Sequence, residues 1–228
     1  MKKILTCIII LLINIVNANA QRLCQVTLQQ SGTNEIFSFL ADETIYINIT
    51  KDGQLAEFGV DYGQGRLYYY PGKLDKFMGR VEYYPQADNA AYRGKVSYIG
   101  ATHLSYFTAE ENQQLQGKLK SVGSINVDYF NQYDEEALRG KIKTAGQMPI
   151  AYYGAFDNES LKGKLKSIGN TTIAYYSSFD DKAIKGKIKS IGNFQFLYYT
   201  SFDNRNYAGA MKSGFQSQLV NGLRFIVR

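Results

Sequence analysis

The sequence has few of the residues that usually carry metal, redox or disulfide chemistry. Its 228 residues include two cysteines, one histidine, three prolines and no tryptophan. With His103 as the one histidine, and with Cys24 as the one cysteine beyond the first twenty residues, a zinc site of histidine and cysteine ligands is disfavoured. The chain also lacks a phosphate-binding loop and a dinucleotide-binding fingerprint. We therefore predict no cofactor and no metal.

The first twenty residues have the pattern of a signal peptide. Lys2 and Lys3 precede an apolar run over residues 4–16, and Ala18-Asn19-Ala20 is a small-x-small cleavage site. The run is shorter than the roughly 20 apolar residues of a membrane-spanning helix. We predict cleavage after Ala20, export to the periplasm, the cell surface or the extracellular space, and no transmembrane helix in the mature chain.

The composition of the mature chain favours a β-rich protein. Removing 20 of 228 residues leaves 208, enough for one large domain or two small ones. The leader carries Lys2 and Lys3 and no acidic residue, so its loss lowers the net charge from +6 to +4, which argues against a nucleic-acid partner. Only Cys24 then remains, so an intramolecular disulfide is excluded. Nineteen tyrosines, thirteen phenylalanines and twenty-one glycines favour strands and tight turns.

Glycines recur every 23 residues in two series that are six residues apart, which indicates a tandem repeat. The members assigned to turns and packing are Gly94, Gly117, Gly140, Gly163 and Gly186 in the first series and Gly123, Gly169 and Gly192 in the second. We predict a leader (1–20), non-repetitive hairpins (21–64), tandem hairpins (65–213, with five good copies from about residue 93) and a closing strand (214–228) continuous with the repeat sheet.

Each copy predicts a β-hairpin. In "GKIKSIGNFQFLYY", Gly192-Asn193 separates two strand-like segments, and counting outward places Ile191 opposite Phe194 and Ser190 opposite Gln195. Hairpins joined by short links predict an all-β, antiparallel meander of stacked hairpins, either a curled sheet or a β-solenoid. A β-propeller and a closed barrel are the alternatives. In the links, pairs such as Phe156-Asp157 and Phe179-Asp180 predict turns that the aspartate carboxylate caps.

The same counting sorts the side chains onto two faces of the hairpin. The face with Gly186 and Ile188 carries no lysine and is predicted to be buried, with the ring of Tyr199 lying over the bare backbone of Gly186. The opposite face would then present lysines and tyrosines to solvent. These residues form the predicted ligand or partner surface: Lys118, Lys141, Lys164, Lys187, Tyr129, Tyr152, Tyr175 and Tyr198.

A regular strip of cations and rings suits a long anionic or carbohydrate polymer, because weak contacts add along its length. The competing interpretation is that lysines on the sheet only prevent aggregation.

Two further candidate sites consist of acidic residues. Carboxylates at positions 42, 43, 52, 57 and 61 suggest a glycan hydrolase, which needs two carboxylates across a cleft. The acidic links suggest calcium, although turn capping explains them more simply.

These observations favour an exported, non-enzymatic β-repeat protein that is a structural or binding scaffold in the cell envelope or outside the cell. Its expected partner is a polysaccharide or another envelope protein. An outer-membrane β-barrel protein is the first alternative, and a carboxylate-dependent glycan hydrolase is the second. The sequence does not determine the oligomeric state.

Overall fold

The structure is a computed structural model that describes residues 21–42, 44–61, 70–203 and 205–228. The predicted leader and the upstream copy that begins at Gly65 lie wholly or partly outside this range. Strand content is 42% and helix content 5%, and consecutive strands form antiparallel hairpins, which confirms the predicted all-β meander. No helix within the described ranges is long and apolar enough to cross a membrane.

The first sheet has six strands in the order β18-β19-β1-β2-β3-β4. Strands β1 to β4 form an antiparallel meander, and β18 and β19 come from the end of the chain. The bounds are β1 Arg22–Leu28, β2 Ile36–Leu40, β3 Ile45–Thr50, β4 Leu55–Val60, β18 Ser217–Val220 and β19 Leu223–Val227.

The second sheet has eleven strands that follow one another in chain order from β5 to β15, so it is an open meander with β5 and β15 at its edges. The bounds are β5 Val81–Tyr83, β6 Val96–Ile99, β7 Thr102–Tyr106, β8 Leu119–Val122, β9 Ile125–Tyr129, β10 Ile142–Ala145, β11 Met148–Tyr152, β12 Leu165–Ile168, β13 Thr171–Tyr175, β14 Ile188–Ile191 and β15 Phe194–Gln195. A separate pair is formed by β16 Leu197–Tyr198 and β17 Met211–Ser213. Among the described residues, the helical segments are α1 Ala109–Asn112 and two 3₁₀ turns, Gln113–Leu115 and Arg205–Tyr207.

The predicted register is confirmed next to the turns. Ile191 pairs with Phe194 and Ser190 with Gln195 across the Gly192-Asn193 turn. Gly192 has a φ of 54°, a conformation that glycine adopts without steric cost.

The predicted hairpin of the first sheet is also formed as expected over most of its length. Ile45 pairs with Val60 and Ile47 with Phe58. Ile49, however, pairs with Leu55 instead of with Ala56, because the register shifts by one residue near the turn.

The prediction of which face is buried is wrong for the second strand of each hairpin. Tyr198 is 5% exposed, whereas Leu197, on the side predicted to be buried, is 50% exposed. The cause is a register shift in the pairing between copies. Leu197 pairs with Ser213 but Tyr198 pairs with Met211, and in the copy before it Ala174 pairs with Ser190 but Tyr175 with Ile188. The bulge at residue 189 breaks the strict alternation of side chains. Ile188 and Ile191 are therefore both fully buried.

The closing segment was predicted to continue the repeat sheet, but it belongs to the first sheet instead. Its strands β18 and β19 form a hairpin around Asn221-Gly222, whose two residues have φ values of 50° and 80°. Positive φ at both central residues is the geometry of a tight hairpin turn that favours Asn-Gly. Strand β19 then pairs with β1 in parallel, with Val26 opposite Phe225. This parallel pair departs from the predicted all-antiparallel arrangement.

The two sheets form two layers that share one core. Phe37, Phe39 and Phe225 of the first sheet lie in the same buried cluster as Leu119 and Ile142 of the second. Two turns of the first sheet also hydrogen-bond to the second: Leu119 N donates to Gly53 O (2.9 Å), Ile142 N to Lys51 O (2.9 Å) and Ile188 N to Gln30 O (2.8 Å). The first sheet is thereby fastened to several successive hairpins.

Candidate functional site

The first lysine of each copy connects two copies instead of facing a ligand. The Nζ atom of Lys141 lies 5.1 Å from the ring centroid of Tyr152 and donates a 2.7 Å hydrogen bond to Gly163 O in the next copy. Both contacts favour the charged ammonium group. The arrangement recurs with Lys118 over Tyr129 and bonded to Gly140 O (2.6 Å), and with Lys164 over Tyr175 and bonded to Gly186 O (2.5 Å), while Lys187 lies over Tyr198. We call these contacts the lysine ties.

Burial affects the lysines of these ties, since it lowers the pKa of Lys118, Lys141, Lys164 and Lys187. Two of the ties also hold turns of the first sheet. Lys118 Nζ donates to Asp52 O (3.0 Å), and Lys164 Nζ donates to Ser31 O (2.5 Å). The ammonium groups of Lys118, Lys141 and Lys164 are thus occupied by backbone carbonyl oxygens of the next copy and, for Lys118 and Lys164, of the first sheet.

The tyrosines of the predicted surface are core residues. Tyr129, Tyr152, Tyr175 and Tyr198 are 4–5% exposed, and burial raises the pKa of each phenol. The prediction that these rings face solvent is therefore wrong, and the reason is that a register shift recurs in the pairing of each of these tyrosines with the next copy. The lysines and tyrosines do meet, but they meet inside the molecule.

The repeated glycine lies against the lysine of the preceding copy and not against a tyrosine ring. Gly186 N donates to Tyr176 O of the preceding copy (2.8 Å). Tyr199 N donates to Ala210 O of the next copy (3.0 Å) and its ring packs against Tyr207, with centroids 5.6 Å apart, instead of stacking on Gly186 as predicted. Gly186 has a φ of 75°, and a Cβ atom there would lie 2.9 Å from Lys164 Nζ. A side chain at this position would displace the ammonium group from its carbonyl partner.

The second lysine of each copy lies on the outer side of the same sheet, over the second aromatic residue of the preceding copy. Lys143 Nζ is 5.3 Å from the ring centroid of Phe130, and Lys166 Nζ is 5.1 Å from that of Tyr153. Each of these outer rings packs edge-on against a buried tyrosine of the next copy, as Tyr153 does against Tyr175 with centroids 5.9 Å apart. An edge-on aromatic pair thus joins each copy to the next from Phe107–Tyr129 to Tyr176–Tyr198.

A different set of aromatic side chains is exposed. Tyr133, Phe156, Phe179 and Phe202 occupy one position of the 23-residue repeat, and their exposed fractions are 89%, 98%, 93% and 91%. We call this set the aromatic row. Sequence reasoning placed these residues in the links but assigned them no functional role. The signal was present in the sequence, because a large apolar residue recurs at a position that a turn does not require.

Each member of the aromatic row is fixed by the aspartate that follows it. Asp157 Oδ2 accepts a hydrogen bond from Gly154 N (2.7 Å), Asp180 Oδ2 from Ser177 N (2.6 Å) and Asp203 Oδ2 from Thr200 N (2.7 Å). The capping role predicted for the link aspartates is confirmed. Hydrogen bonds from the backbone and side chains of Ser177 and Thr200 hold the pKa of Asp180 and Asp203 below the usual aspartate value.

Neighbouring links are also bonded to each other. Ala155 N donates to Glu135 Oε2 (2.7 Å), Ser178 N to Asn158 Oδ1 (3.3 Å) and Ser201 N to Asp181 Oδ1 (2.8 Å). Since two strands separate one link from the next, successive members of the aromatic row are roughly 10 Å apart. The rings therefore stand on an ordered edge of the sheet at a regular spacing.

The other candidate residues do not converge on one centre. Within the described ranges no group of three or more histidine, cysteine or acidic side chains is placed to hold a metal ion. Glu57 lines a cleft of about 460 Å³ and is the one carboxylate among its described lining residues. Asp61 forms an ion pair with Arg224 (3.5 Å), and His103 Nε2 contacts the Tyr84 hydroxyl (3.0 Å). Position 43 lies outside the described residues.

An ion pair at the end of strands β2 and β3 of the first sheet was not predicted from the sequence. Glu35 has a fully buried carboxylate that lies 2.9 Å from Lys51 Nζ. The negative charge of Glu35 adds to burial in raising the pKa of Tyr152 and Tyr175. The charge pair stands where the turn at residues 50–53 meets the hairpin array, so it belongs to the packing of the two layers.

No family model, curated protein or solved structure matches the chain. The geometry itself defines the class: an open array of β-hairpins, tied internally by lysines and covered by a second sheet, with aromatic side chains on one ordered edge.

Proposed function

We propose that the protein is an exported, non-enzymatic scaffold of the cell envelope or the extracellular space, and that it binds its partner through the aromatic row. The observation that carries this proposal is the exposure of four aromatic side chains, each at least 89% accessible, on links that hydrogen bonds hold in place. Single exposed apolar residues are ordinary on protein surfaces, whereas an ordered set of large apolar groups is typical of an interaction surface.

The rest of the array supports a scaffold role. Its lysines and buried tyrosines are used in contacts between copies, and the layer formed by the first sheet fastens successive hairpins together. A surface built on such an array is presented at low conformational cost, since the links do not need to become ordered on binding. The partner classes that suit it are a polysaccharide and another envelope protein, and export is expected from the signal-peptide pattern of residues 1–20.

The export half of the proposal is tested by expressing the full chain in a bacterial host and separating the cell fractions. We expect the protein outside the cytoplasm, with Gln21 as its first residue by mass spectrometry. Retention of the full chain in the cytoplasm would contradict this half.

The binding half is tested with a row variant in which Tyr133, Phe156, Phe179 and Phe202 are all changed to serine. We expect this variant to melt at the wild-type temperature and to lose binding to isolated cell envelopes. A matched control changes Leu219, an exposed residue outside the row, to serine. Equal envelope binding by the row variant and the wild type would show that the row is not the binding surface.

A further inference from the structure

We infer that the ligand of the aromatic row is a neutral, linear polysaccharide whose sugar rings stack on the exposed aromatic rings. This inference rests on the proposed function, because it names the ligand class of the same surface. It is carried by three properties of the row: its periodicity, the chemistry between its rings and its charge.

The periodicity indicates a periodic ligand. The rings are separated by two strands each, roughly 10 Å, and four of them extend over roughly 30 Å. The links are bonded to one another, so these intervals are fixed before the ligand arrives. A linear polymer offers the same group at regular intervals and can occupy every ring at once. A folded protein partner without a tandem repeat of its own has no such regular surface.

The chemistry between the rings suits sugars. A sugar ring has an apolar C–H face, which packs on an aromatic ring, and hydroxyl groups at its rim, which need hydrogen-bond partners. The aromatic side chains supply the first. The links supply the second through exposed polar side chains three positions after each ring in the chain, namely Glu136, Glu159, Lys182 and Arg205.

The charge of the edge selects a neutral polymer over an anionic one. The link that contains Tyr133 carries Asp134, Glu135 and Glu136 against Arg139 alone. The link that contains Phe179 balances two aspartates with two lysines, Lys182 and Lys185. An anionic polysaccharide or an anionic membrane surface would meet repulsion at the first of these links. This ligand class differs from the anionic polymer expected for a lysine surface. The lysines of that surface are already engaged in the lysine ties.

The test is calorimetric titration of the whole mature protein with neutral β-linked oligosaccharides of increasing length, glucose and N-acetylglucosamine series being the probes. Because several weak contacts act together, we expect affinity to rise with length until the oligosaccharide spans the row. Changing the inner residue Phe179 to serine should weaken binding of a long oligosaccharide by about two- to tenfold, and the four-residue row variant should abolish it. Leu219→Ser is the control and should leave affinity unchanged.

Vesicles of neutral and of anionic phospholipid are titrated in parallel. Row-dependent binding to vesicles, or equal affinity for short and long oligosaccharides, would overturn the polysaccharide inference. The polysaccharide inference would also be overturned if no neutral glycan bound and if row-dependent binding to envelopes persisted after their polysaccharide had been digested. In that case the proposed function would stand, with a protein as the partner. If the row variant also binds envelopes like the wild type, the proposed function fails as well.

Discussion

At the scale of single residues, one repeat position provides two different environments for the same side chain. The Tyr129 hydroxyl donates a 2.6 Å hydrogen bond to Leu119 O, whereas the Tyr152 hydroxyl is buried without a hydrogen-bond partner. Both rings carry a lysine ammonium group over one face. The hydroxyl is therefore useful to the first tyrosine and costly to the second, because a buried polar group without a partner loses its hydration.

This contrast yields a prediction from a matched pair of variants. Tyr129→Phe should lower the free energy of unfolding by about 1 kcal/mol, since it removes a hydrogen bond and leaves a buried carbonyl oxygen without its donor. Tyr152→Phe should cause no loss or a small gain. Urea unfolding followed by circular dichroism measures both. Equal losses would mean that the Tyr152 hydroxyl is hydrogen-bonded in solution.

At the scale of the structural element, a single hairpin has too few contacts to be stable alone. Strands β12 and β13 share two paired positions, and β13 and β14 share three. An isolated two-stranded hairpin is marginal in water, so the contacts between copies must supply much of the stability. The lysine ties and the edge-on aromatic pairs are those contacts.

The importance of the ties is tested by comparing two lysines of one copy. Lys141→Met keeps the aliphatic stem but removes the hydrogen bond to Gly163 O and the charge over Tyr152, and it should destabilise the protein by about 1.5–3 kcal/mol. Lys143→Met removes only an exposed contact with Phe130 and should cost less than about 1 kcal/mol. Thermal and denaturant unfolding provide the comparison. If Lys141→Met lowers the free energy of unfolding no more than Lys143→Met does, the lysine ties do not stabilise the protein.

At the scale of the whole molecule, the two layers depend on the same buried tyrosines. Gly32 and Gly53, in two turns of the first sheet, lie against the rings of Tyr175 and Tyr129, where an added Cβ atom would collide with them. Because β1 and β19, the first and last described strands, are paired in this sheet, its attachment to the array holds both of these strands as well. Loss of the tyrosine layer should therefore unfold the molecule as a unit.

Alkaline pH tests this dependence. The pKa of each buried tyrosine is raised above its ordinary value of 10.0 by burial, so above that pH the folded state binds more protons than the unfolded state and stability falls as pH rises. The lowered pKa of the tie lysines acts in the opposite direction below 10.5, but the tyrosine shifts are larger. We expect stability to decline steeply above pH 10.

The measurement combines melting temperature with the ultraviolet absorbance of tyrosinate as pH is raised. The buried tyrosines should ionise together with the loss of the folded circular dichroism signal. Gradual ionisation of all tyrosines while the fold remains intact would contradict the buried tyrosine layer.

The local features of this protein follow from its sequence, and the structure confirms them. Glycine at a fixed interval, followed by Asn170 or Asn193 in two copies, was enough to predict the repeated hairpins, the pairing beside these two turns and the order of the strands in the repeat sheet. The aspartates of the links were enough to predict capped turns. Each of these features depends on residues that are close together in the chain.

Only the tertiary structure decided which side chains face the core, where the lysines end and which aromatic residues are exposed. The bulge between copies, which turns Tyr198 inward, arises in the pairing of strands from different hairpins, and the pattern within one hairpin does not show it. Likewise, the parallel return of β19 to β1 joins residues about two hundred positions apart. The sequence by itself determined the repeating unit, because hairpins form from local contacts. The stacking of those units, and with it the exposed edge where we place the function, depends on contacts between distant parts of the chain.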